Sequence, residues 1–578
     1  MSKRTFVRGR KAALRTCLLI SGSLSVLLLL GAPQVDATTF SYDSFGWSTD
    51  RANTASVAVE NGDFGRDDVL HLGIADYTPP NYDTSGYQGF LQTEGYQALT
   101  GLPVGSAFIS GDLYIPTNAA TSSTAFYQSI GLWGVISSSG TVDNWPIIQF
   151  YNGPNPSVQP TTPGSGTSGQ NVGEIRGADN GITDPTLSEW ATLTGPDADS
   201  TFASDPSAAI NYGAWNTFRI NYIAGSIVGG GSYQLLINGV VVATMSGYPF
   251  QGVDPSDTSL SGIILDSRTN GSNPYDVFWS NIVASLDEQY YNVASLGPAA
   301  VVGGEMILGT YTDRRGLDWD SNKYAWAHVV GGVAKFDDGA GTLTSNVAGA
   351  QYGQDLFALG EPSTRIGFTF GYTTQSDSLR IPAGTSASSN SQEPSIGGYI
   401  THADQNFYAD LLGQYRFLNF DATSPTSEGK VTGGSIDVAA EAGMHWKLGD
   451  GVTLTPMGQL LYEHVNLDEA NVGSGLDATF THTDALIARG RMLLQSKVGG
   501  FSVFGSAGVA GNLLGPMTTT VTGNAFQTNI GGVQAEFVGG IDAAVSAALD
   551  VFGSGEFDTS FDGKSQSYAG RAGFRANF

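Results

Sequence analysis

The stretch SQSYAGRAGFRANF (565–578) alternates apolar and polar residues through to its last position. Its even positions, which include Tyr568, Phe574 and Phe578, are apolar or small, and its odd positions are mostly polar. A period of two residues indicates a β-strand with one apolar and one polar face. Since the ends of soluble chains usually fray, an aromatic residue here predicts that this strand is held in apolar surroundings.

The same period recurs from residue 324 onward and predicts about twelve strands. The candidate strands are 324–336, 350–359, 364–374, 397–403, 406–417, 435–448, 451–465, 484–498, 501–511, 532–545, 549–561 and the terminal segment. Most approach the roughly 9–11 residues that a tilted membrane-spanning strand needs. Long polar loops are expected at 375–395 and 466–482. Because no sheet edge can stay unpaired in lipid, such a sheet must close.

The first residues have the order of a secretory signal. Residues 1–15 contain six Lys or Arg and no acid, an apolar segment follows, and small residues lead to Ala37. We expect a cleaved signal peptide over 1–37. The alternative is an uncleaved membrane anchor, for which the apolar segment is short. The single cysteine, Cys17, lies inside this segment, so the predicted mature chain has no disulfide.

The charge balance limits the choice of partner. The sequence has 53 Asp and Glu against 26 Lys and Arg, a formal net charge of −27, which argues against nucleic acid because phosphate binding needs a basic surface. Residues 38–290 contain no lysine, which favours solubility and disfavours attachment to anionic membranes.

Residues 38–290 also read as all-β, with short apolar runs between turn-rich stretches, which predicts a sandwich or a barrel. The runs are 69–74, 107–116, 129–136, 146–151, 215–223 and 262–266. Asn238-Gly239 between two β-rich runs predicts a tight hairpin. The run 153–170, rich in Gly, Pro, Ser and Thr, predicts a surface loop. Residues 284–323 lack alternation, and a short helix is expected around 298–312.

Four motifs make the C-terminal half resemble the β-domain of autotransporters, the type V secretion family of Gram-negative bacteria. They are YTDRRG (311–316), YAWAHVVGG (324–332), GGYITHADQNFYADLLGQY (397–415) and YAGRAGFRANF (568–578). The resemblance implies a twelve-stranded barrel in the outer membrane, a helix through its pore, and an N-terminal passenger displayed at the cell surface.

That resemblance also implies a domain order. It runs from a signal peptide (1–37) to a passenger (38–290), a connector with the pore helix (291–323) and the barrel (324–578). The last strand would be read by the machinery that inserts barrels into the outer membrane, with Tyr568, Phe574 and Phe578 as its signal.

The passenger resembles a concanavalin A-like, laminin G-like β-sandwich of jelly-roll type in the segments 215–245 and 266–286. Such folds often bind glycans, with or without Ca²⁺, and some hydrolyse them. Asp266, Asn270, Asn273 and Asp276 offer hard oxygen ligands at close spacing, so we predict a candidate Ca²⁺ site there. The alternative explanation is that these residues bind no metal and stabilise turns.

Catalysis has little support in the passenger. The paired carboxylates of a retaining glycosidase, often arranged as E-x-D-x-E, are absent, and Glu174 beside Arg176 is the best lone acid. A surface ion pair is the favoured explanation of Glu174, because exposed pairs of this kind are common. His71 is the passenger's only histidine, and no G-x-S-x-G context accompanies it. We therefore predict no catalytic residues.

Aromatic residues suit a glycan face because their rings stack on sugars. Trp145 and Trp190 lie in turn-rich stretches and are the candidate ligand-binding residues, whereas Trp215 and Trp279 lie in strands and are expected in the core. Three hypotheses follow for the passenger: an adhesin that binds glycan or matrix at a host or cell surface, a secreted polysaccharide hydrolase, and a self-association module. The first is favoured. Asn292 lies where self-cleaving relatives are cut, but its surroundings are not diagnostic.

Overall fold

The computed structural model describes most of the chain from residue 40 onward. The described residues are 40–41, 47–52, 57–60, 62–67, 69–74, 91–99, 105–120, 128–138, 141–153, 171–179, 191–192, 210–226, 230–246, 258–269, 275–317, 324–337, 341–359, 364–381, 385–471, 476–530 and 532–577. The predicted signal peptide, the inner part of the predicted loop 153–170, and Trp190, Asn270, Asn273 and Phe578 lie outside them.

The described part before residue 287 is built from strands. They are β1 Phe40–Ser41, β2 Ser48–Ala52, β3 Val57–Glu60, β4 Val69–Ile74, β5 Leu91–Ala98, β6 Ala107–Ile115, β7 Gln128–Ser138, β8 Thr141–Asn144, β9 Pro146–Gly153, β10 Asn171–Asp179, β11 Ala191–Thr192, β12 Ala214–Ser226, β13 Gly230–Ile237, β14 Val240–Ser246, β15 Thr258–Thr269 and β16 Tyr275–Leu286. A 3₁₀ turn at Thr117–Ala120 follows β6.

These strands form two antiparallel sheets. The first has the order β14-β13-β12-β6-β16-β4-β3 with β1 on β16, and the second has the order β11-β10-β9-β7-β15-β5-β2 with β8 on β7. Leu113 and Phe218 of the first sheet and Leu132 and Leu265 of the second are fully buried in one hydrophobic cluster. The two sheets therefore face each other across a shared core.

The Asn238-Gly239 hairpin prediction is confirmed. Asn238 and Gly239 have φ of 49° and 81°, and Ile237 pairs with Val240 across the turn. Both turn positions need positive φ, which Asn and Gly tolerate best. The turn sets the register of β13 against β14, and on its other side Ile237 is directly opposite Phe218 of β12.

Two helices follow the sheets: α1, Glu288–Leu308, and α2, Tyr311–Arg315. The expected short helix at 298–312 was wrong in its bounds, since α1 begins ten residues earlier. The side chain of Asp287 caps α1 by accepting a hydrogen bond from the Gln289 amide at 2.8 Å. Thr310 and Asp313 form a reciprocal capping box that starts α2.

The remaining strands are β17 Ala325–Asp337, β18 Thr342–Ala358, β19 Thr364–Arg380, β20 Ser386–Ala403, β21 Phe407–Thr423, β22 Glu428–Met444, β23 Trp446–Gly449, β24 Val452–Leu467, β25 Ala470–Asn471, β26 Asp477–His482, β27 Asp484–Val498, β28 Phe501–Asn512, β29 Met517–Val521, β30 Asn524–Thr528, β31 Gln534–Ala544, β32 Leu549–Ser560 and β33 Ser565–Ala576.

Twelve of these strands close into a ring. The order is β17-β18-β19-β20-β21-β22-β24-β27-β28-β31-β32-β33, and β33 pairs with β17 from Ser565↔Phe336 to Ala576↔Ala325. The predicted all-β class and the twelve-stranded closed barrel are confirmed. The terminal stretch that alternates so clearly is the strand that closes the barrel.

The predicted long loops were wrong in part. Residues 375–380 and 386–395 continue β19 and β20, which reach 17 and 18 residues instead of 9–11. These segments are rich in Ser, Asn and Gln and lack the alternation of apolar and polar residues by which the other strands were predicted. The sequence pattern therefore did not identify them as parts of strands. The predicted loop 466–482 contains β25 and β26, which join β29 and β30 in a four-stranded sheet.

Candidate functional site

The barrel is apolar outside and polar inside. Large hydrophobic side chains that stay exposed on its outer surface include Val329, Val333, Phe370, Tyr372, Ile396, Ile400, Leu411, Tyr415, Phe417, Ile436, Leu460, Tyr568 and Phe574. The alternate positions turn inward and are buried, yet many are charged, among them Glu393, Arg416, Asp437, Glu463, Arg489 and Glu536. A water-soluble barrel shows the opposite arrangement, so this outer surface suits lipid.

On β19, β20 and β21 the apolar zone covers only part of the strand. On β19 the outward residues change from Phe370 and Tyr372 to Thr374, Ser376 and Ser378. The outward residues of β20 and β21 change from apolar to polar at positions that pair with, or lie close to, this point on β19. The polar ends therefore extend past the lipid into water.

Helix α1 lies inside the barrel. Every residue of α1 except Glu305 is buried. Near its start, Asn292 donates hydrogen bonds to the carbonyls of Ser388 and Thr423 at 3.0 and 3.3 Å, and near its end Arg571 donates to the Met306 carbonyl at 3.3 Å. At about 1.5 Å per residue, 21 residues extend some 32 Å, which is about the thickness of a bilayer's apolar layer. Among the described residues, no helix combines the length and apolar character needed to cross a membrane.

Arg416 on β21 is the centre of the first charged group in the lumen. Its guanidinium contacts Glu393 at 2.7 Å, Asp437 at 2.7 Å and Glu463 at 3.0 Å. All four side chains are fully buried. One guanidinium thus joins four neighbouring strands, β20, β21, β22 and β24, by charge-assisted hydrogen bonds.

Helix α1 approaches this group through Gly303 and Gly304. A Cβ atom at Gly304 would meet the Glu463 carboxylate and the Arg416 guanidinium, and one at Gly303 would lie 2.6 Å from the Gln375 amide oxygen. The two glycines therefore remove side-chain volume at the point where the helix passes the charged wall.

A second charged group joins the helices to strands β27, β31, β32 and β33. It consists of Glu305, Asp313, Arg489, Arg491, Glu536, Glu556 and Arg571. Arg489 bridges the helix to the barrel, with Glu305 and Glu536 each at 2.7 Å. Glu536, Glu556 and Asp558 place carboxylate oxygens within 4.8 Å of one another, a spacing that suits a cation. Arginines already neutralise the first two, and Ser567 donates to Asp558 at 2.6 Å.

Helix α2 contains most of the YTDRRG motif and follows α1 inside the barrel, so that α1 and α2 together form a plug in the lumen. Helix α2 anchors the C-terminal end of this plug to the barrel wall. Arg314 pairs with Asp410, and Arg315 pairs with Asp355 at 3.2 Å. The amide of Tyr311 donates to Glu441 at 2.9 Å. A cavity of about 40 Å³ lies between α1 and the second charged group, which is room for a few water molecules. The two helices occupy the part of the lumen that these charged groups line.

The N-terminal sheets continue directly into this plug. Arg219 on β12 pairs with Glu288, the first residue of α1, at 2.7 Å, and both side chains are almost fully buried. Tyr290 accepts a hydrogen bond from the Ser106 amide at 3.1 Å. Phe526, on β30, packs against Tyr290 and Tyr291. The small sheet of β25, β26, β29 and β30 therefore packs against the start of α1.

The described members of the predicted calcium site lie on different sheets. Asp266 on β15 is fully buried and accepts a hydrogen bond from Gln149 at 3.3 Å. Asp276 on β16 contacts His71 at 2.7 Å. The structure does not bring these carboxylates into one group of contacts, and the calcium site stays a prediction.

The predicted tryptophans fall in different surroundings. Trp145 is half-buried and packs on Trp133, Val135, Ile147 and Ile264. Trp279 is fully buried, as predicted. Trp215 is not in the core, because its position in β12 faces outward, opposite Tyr114. The ligand-binding role of Trp145 stays a prediction. Glu174 and Arg176 lie in β10.

His71 lies between two carboxylates. Its Nδ1 is 2.9 Å from Glu60 and its Nε2 is 2.7 Å from Asp276, and the ring stacks on Phe278 at 4.8 Å. Burial disfavours the charged imidazole, but the hydrogen bonds to Asp276 and Glu60 outweigh burial and raise the pKa of His71. An imidazolium that donates from both nitrogens fits this geometry.

We expect this contact to stabilise the first sheet only at lower pH. A raised folded-state pKa means that the stabilisation is complete below about pH 6.5, the value for an unfolded histidine, and is lost as pH rises through the folded pKa. Because both carboxylates are well exposed, solvent screening keeps this gain in stability small. Thermal unfolding of wild type and His71→Gln at pH 5.5 and 8.5 measures it: the variant should lose stability at pH 5.5 and match wild type at pH 8.5. An equal difference at both values would contradict this.

A closed barrel with an apolar outer surface and a helix-filled, charged lumen defines an integral membrane β-barrel with a plugged pore. Residues 325–556 match the family model described as "Autotransporter beta-domain". The barrel lies in the outer membrane, and it is similar to the translocator units of autotransporters.

Two solved structures illustrate the similarity of fold. The transport unit of the autotransporter AIDA-I from Escherichia coli is 17% identical, with a TM-score of 0.42, covering 49% of this chain and 99% of that one. The translocator domain of NalP from Neisseria meningitidis is 18% identical, with a TM-score of 0.42, covering 50% of this chain and 99% of that one.

One curated relative also matches. It is the "Adhesin BmaC autotransporter" of Brucella suis, 25% identical over 168 residues, which is 27% of this chain. The match spans only 5% of the length of that relative.

Sequence reasoning missed the charged groups of the lumen. Glu393, Arg416, Asp437 and Glu463 are single charges on four strands that are adjacent in the ring but far apart in the sequence. The sequence signal that could have indicated them is a charged residue at a position of each predicted strand that alternates with the apolar, outward-facing positions.

Proposed function

We propose that residues 38–290 are a passenger that the barrel displays at the cell surface, and that this passenger is an adhesin for a glycan or matrix ligand. The observation that carries the proposal is the continuity of the chain at the barrel mouth. Strand β16 ends at Leu286, and α1 begins in the lumen at Glu288. The N-terminal sheets are thus tethered to the end of the barrel where α1 enters.

Two facts support the adhesin proposal. The two facing antiparallel sheets are consistent with the concanavalin A-like sandwich that we propose for the passenger. The Brucella suis relative is itself named an adhesin.

We also propose that the terminal strand is the signal read by the insertion machinery. Tyr568 and Phe574 point outward on β33, with exposed fractions of 55% and 37%, as lipid-facing signal residues must. Phe578 completes the proposed set.

Surface display is tested on intact cells that carry an epitope tag in the predicted loop 153–170. Proteinase K should remove the tag from intact cells while the barrel stays folded and protected. The same cells should adhere to a surface coated with glycans or matrix proteins, and cells with an empty vector should not. A tag that is cut only after the outer membrane is permeabilised would reject display.

Calcium is tested in the same adhesion assay with Ca²⁺ and with EDTA. Loss of adhesion in EDTA would support the predicted site around Asp266 and Asp276. Adhesion that EDTA does not change would remove calcium from the proposal.

A further inference from the structure

Three aromatic side chains form a shelf on the outer face of the first sheet. Tyr114 on β6 and Trp215 on β12 are paired across the strands, with ring centroids 5.5 Å apart. Phe278 on β16 lies beside them. Phe64, from the loop between β3 and β4, stacks on Tyr114 at 3.7 Å with an interplanar angle of 16° and meets Phe278 edge-on at 4.9 Å. The space above Tyr114 therefore accepts one flat six-membered ring.

The covering loop, residues 62–67, is held in an unusual backbone conformation. Phe64 has φ of 50°, which bulky residues rarely adopt. Gly62 and Gly65 on either side have φ of 88° and 79°, and a Cβ on either would meet nothing within 4 Å. Phe64 itself remains 47% exposed. The loop therefore covers Tyr114 with a residue in an unfavourable backbone conformation, and the glycines on either side of Phe64 have free space around them.

Polar groups lie at the edge of the shelf, centred on the buried Asp112. Its carboxylate accepts from Arg66 at 2.6 Å, Thr217 at 2.6 Å and Asn281 at 2.9 Å. Arg66 belongs to the covering loop and also lies over the Trp215 ring at 4.4 Å. If the loop lifts, Arg66 leaves, and both the Trp215 face and one Asp112 oxygen become available together.

We propose that this shelf is a carbohydrate-binding site and that residues 62–67 form its lid, with the Phe64 ring occupying the place of a sugar ring. The inference rests on the proposed adhesin function and assigns its binding residues. A pyranose presents an apolar C–H face, which stacks on aromatic rings, and hydroxyls at its edge. Asp112, Thr217 and Asn281 supply the acceptors and donors that those hydroxyls need. Convergent polar groups beside an apolar surface are the usual composition of a small-ligand site.

The test is binding of the full-length protein, purified in detergent, to an array of defined oligosaccharides. Trp215→Ala should weaken binding of the array glycans that wild type recognises by at least tenfold, and Trp215→Phe should restore most of it. Phe64→Gly should tighten binding several-fold, because glycine adopts positive φ without strain and leaves the shelf uncovered. Val240→Ala, at an exposed position on the edge strand β14 of the same sheet, is the control and should bind as wild type does. Trp145→Ala, on the other sheet, tests the alternative ligand-binding residue that the sequence predicted.

The outcomes separate this site from the adhesin proposal. If Trp145→Ala abolishes binding and Trp215→Ala does not, the shelf is wrong while glycan binding stands. If neither wild type nor Phe64→Gly binds any array glycan, the proposal that the shelf binds carbohydrate is wrong. The adhesin proposal is then decided independently by the adhesion of intact cells to matrix proteins. Unchanged circular dichroism of Trp215→Ala establishes that its loss of binding is not unfolding.

Discussion

Arg416→Leu should cause the largest loss of barrel stability among single substitutions in the lumen. The change leaves Glu393, Asp437 and Glu463 buried together without their shared cation. Removing one partner of a buried ion pair costs about 3–5 kcal/mol, and here three carboxylates lose the same partner. Urea unfolding of the full-length protein in micelles measures the free energy of unfolding directly.

Two further variants test the reason for this loss. Arg380→Leu, at an exposed end position of β19, is the matched control and should change the free energy of unfolding by less than about 0.5 kcal/mol. Adding Glu463→Gln to Arg416→Leu should recover part of the loss, because one buried negative charge is removed. If Arg416→Leu unfolds at the same urea concentration as Arg380→Leu, the central role of Arg416 is wrong.

Gly304→Val should displace α1 from the wall of the lumen. The added side chain begins inside the space of the Glu463 carboxylate and the Arg416 guanidinium, so either the helix or the ion group must move. Overpacking of this kind costs about 1–3 kcal/mol. Valine is a better helix former than glycine, so helix propensity cannot explain a loss. Unfolding in urea should show the destabilisation, and single-channel recording in planar bilayers should show increased conductance because the plug seals less well.

Gly331→Val is the control for this substitution. Gly331 lies on the outer face of β17 with nothing within 4 Å of its added Cβ, so neither stability nor conductance should change appreciably. Equal conductance of the Gly304→Val and wild-type proteins, together with equal stability, would show that α1 does not depend on the close approach at Gly304.

The position of the strands was predictable wherever one face had to meet an apolar medium. The segments 484–498 and 501–511 were predicted within one residue of β27 and β28, because alternation of hydrophobic and polar side chains is a local property. The polar ends of β19 and β20 were missed since both of their faces meet water or a polar lumen, which leaves no alternation to detect.

The passenger shows the same division. Asn238-Gly239 specifies its turn by local backbone preference, and the turn formed as predicted. Trp215 was misplaced because an apolar residue in a strand can face either side of a sheet. On the outer face Trp215 contacts Phe64 and Arg66, which belong to a loop distant in sequence.

An all-β chain with about twelve strands in its C-terminal half could be predicted from local pattern, because strand period, turn chemistry and outward apolar residues are set within short segments. Which charges share the lumen, where α1 passes between them and which aromatic residues form a surface depend on how distant segments come together. Glu393 and Glu463 are 70 positions apart, yet they meet at one arginine. Such contacts depend on ring order and strand register, which no local pattern encodes.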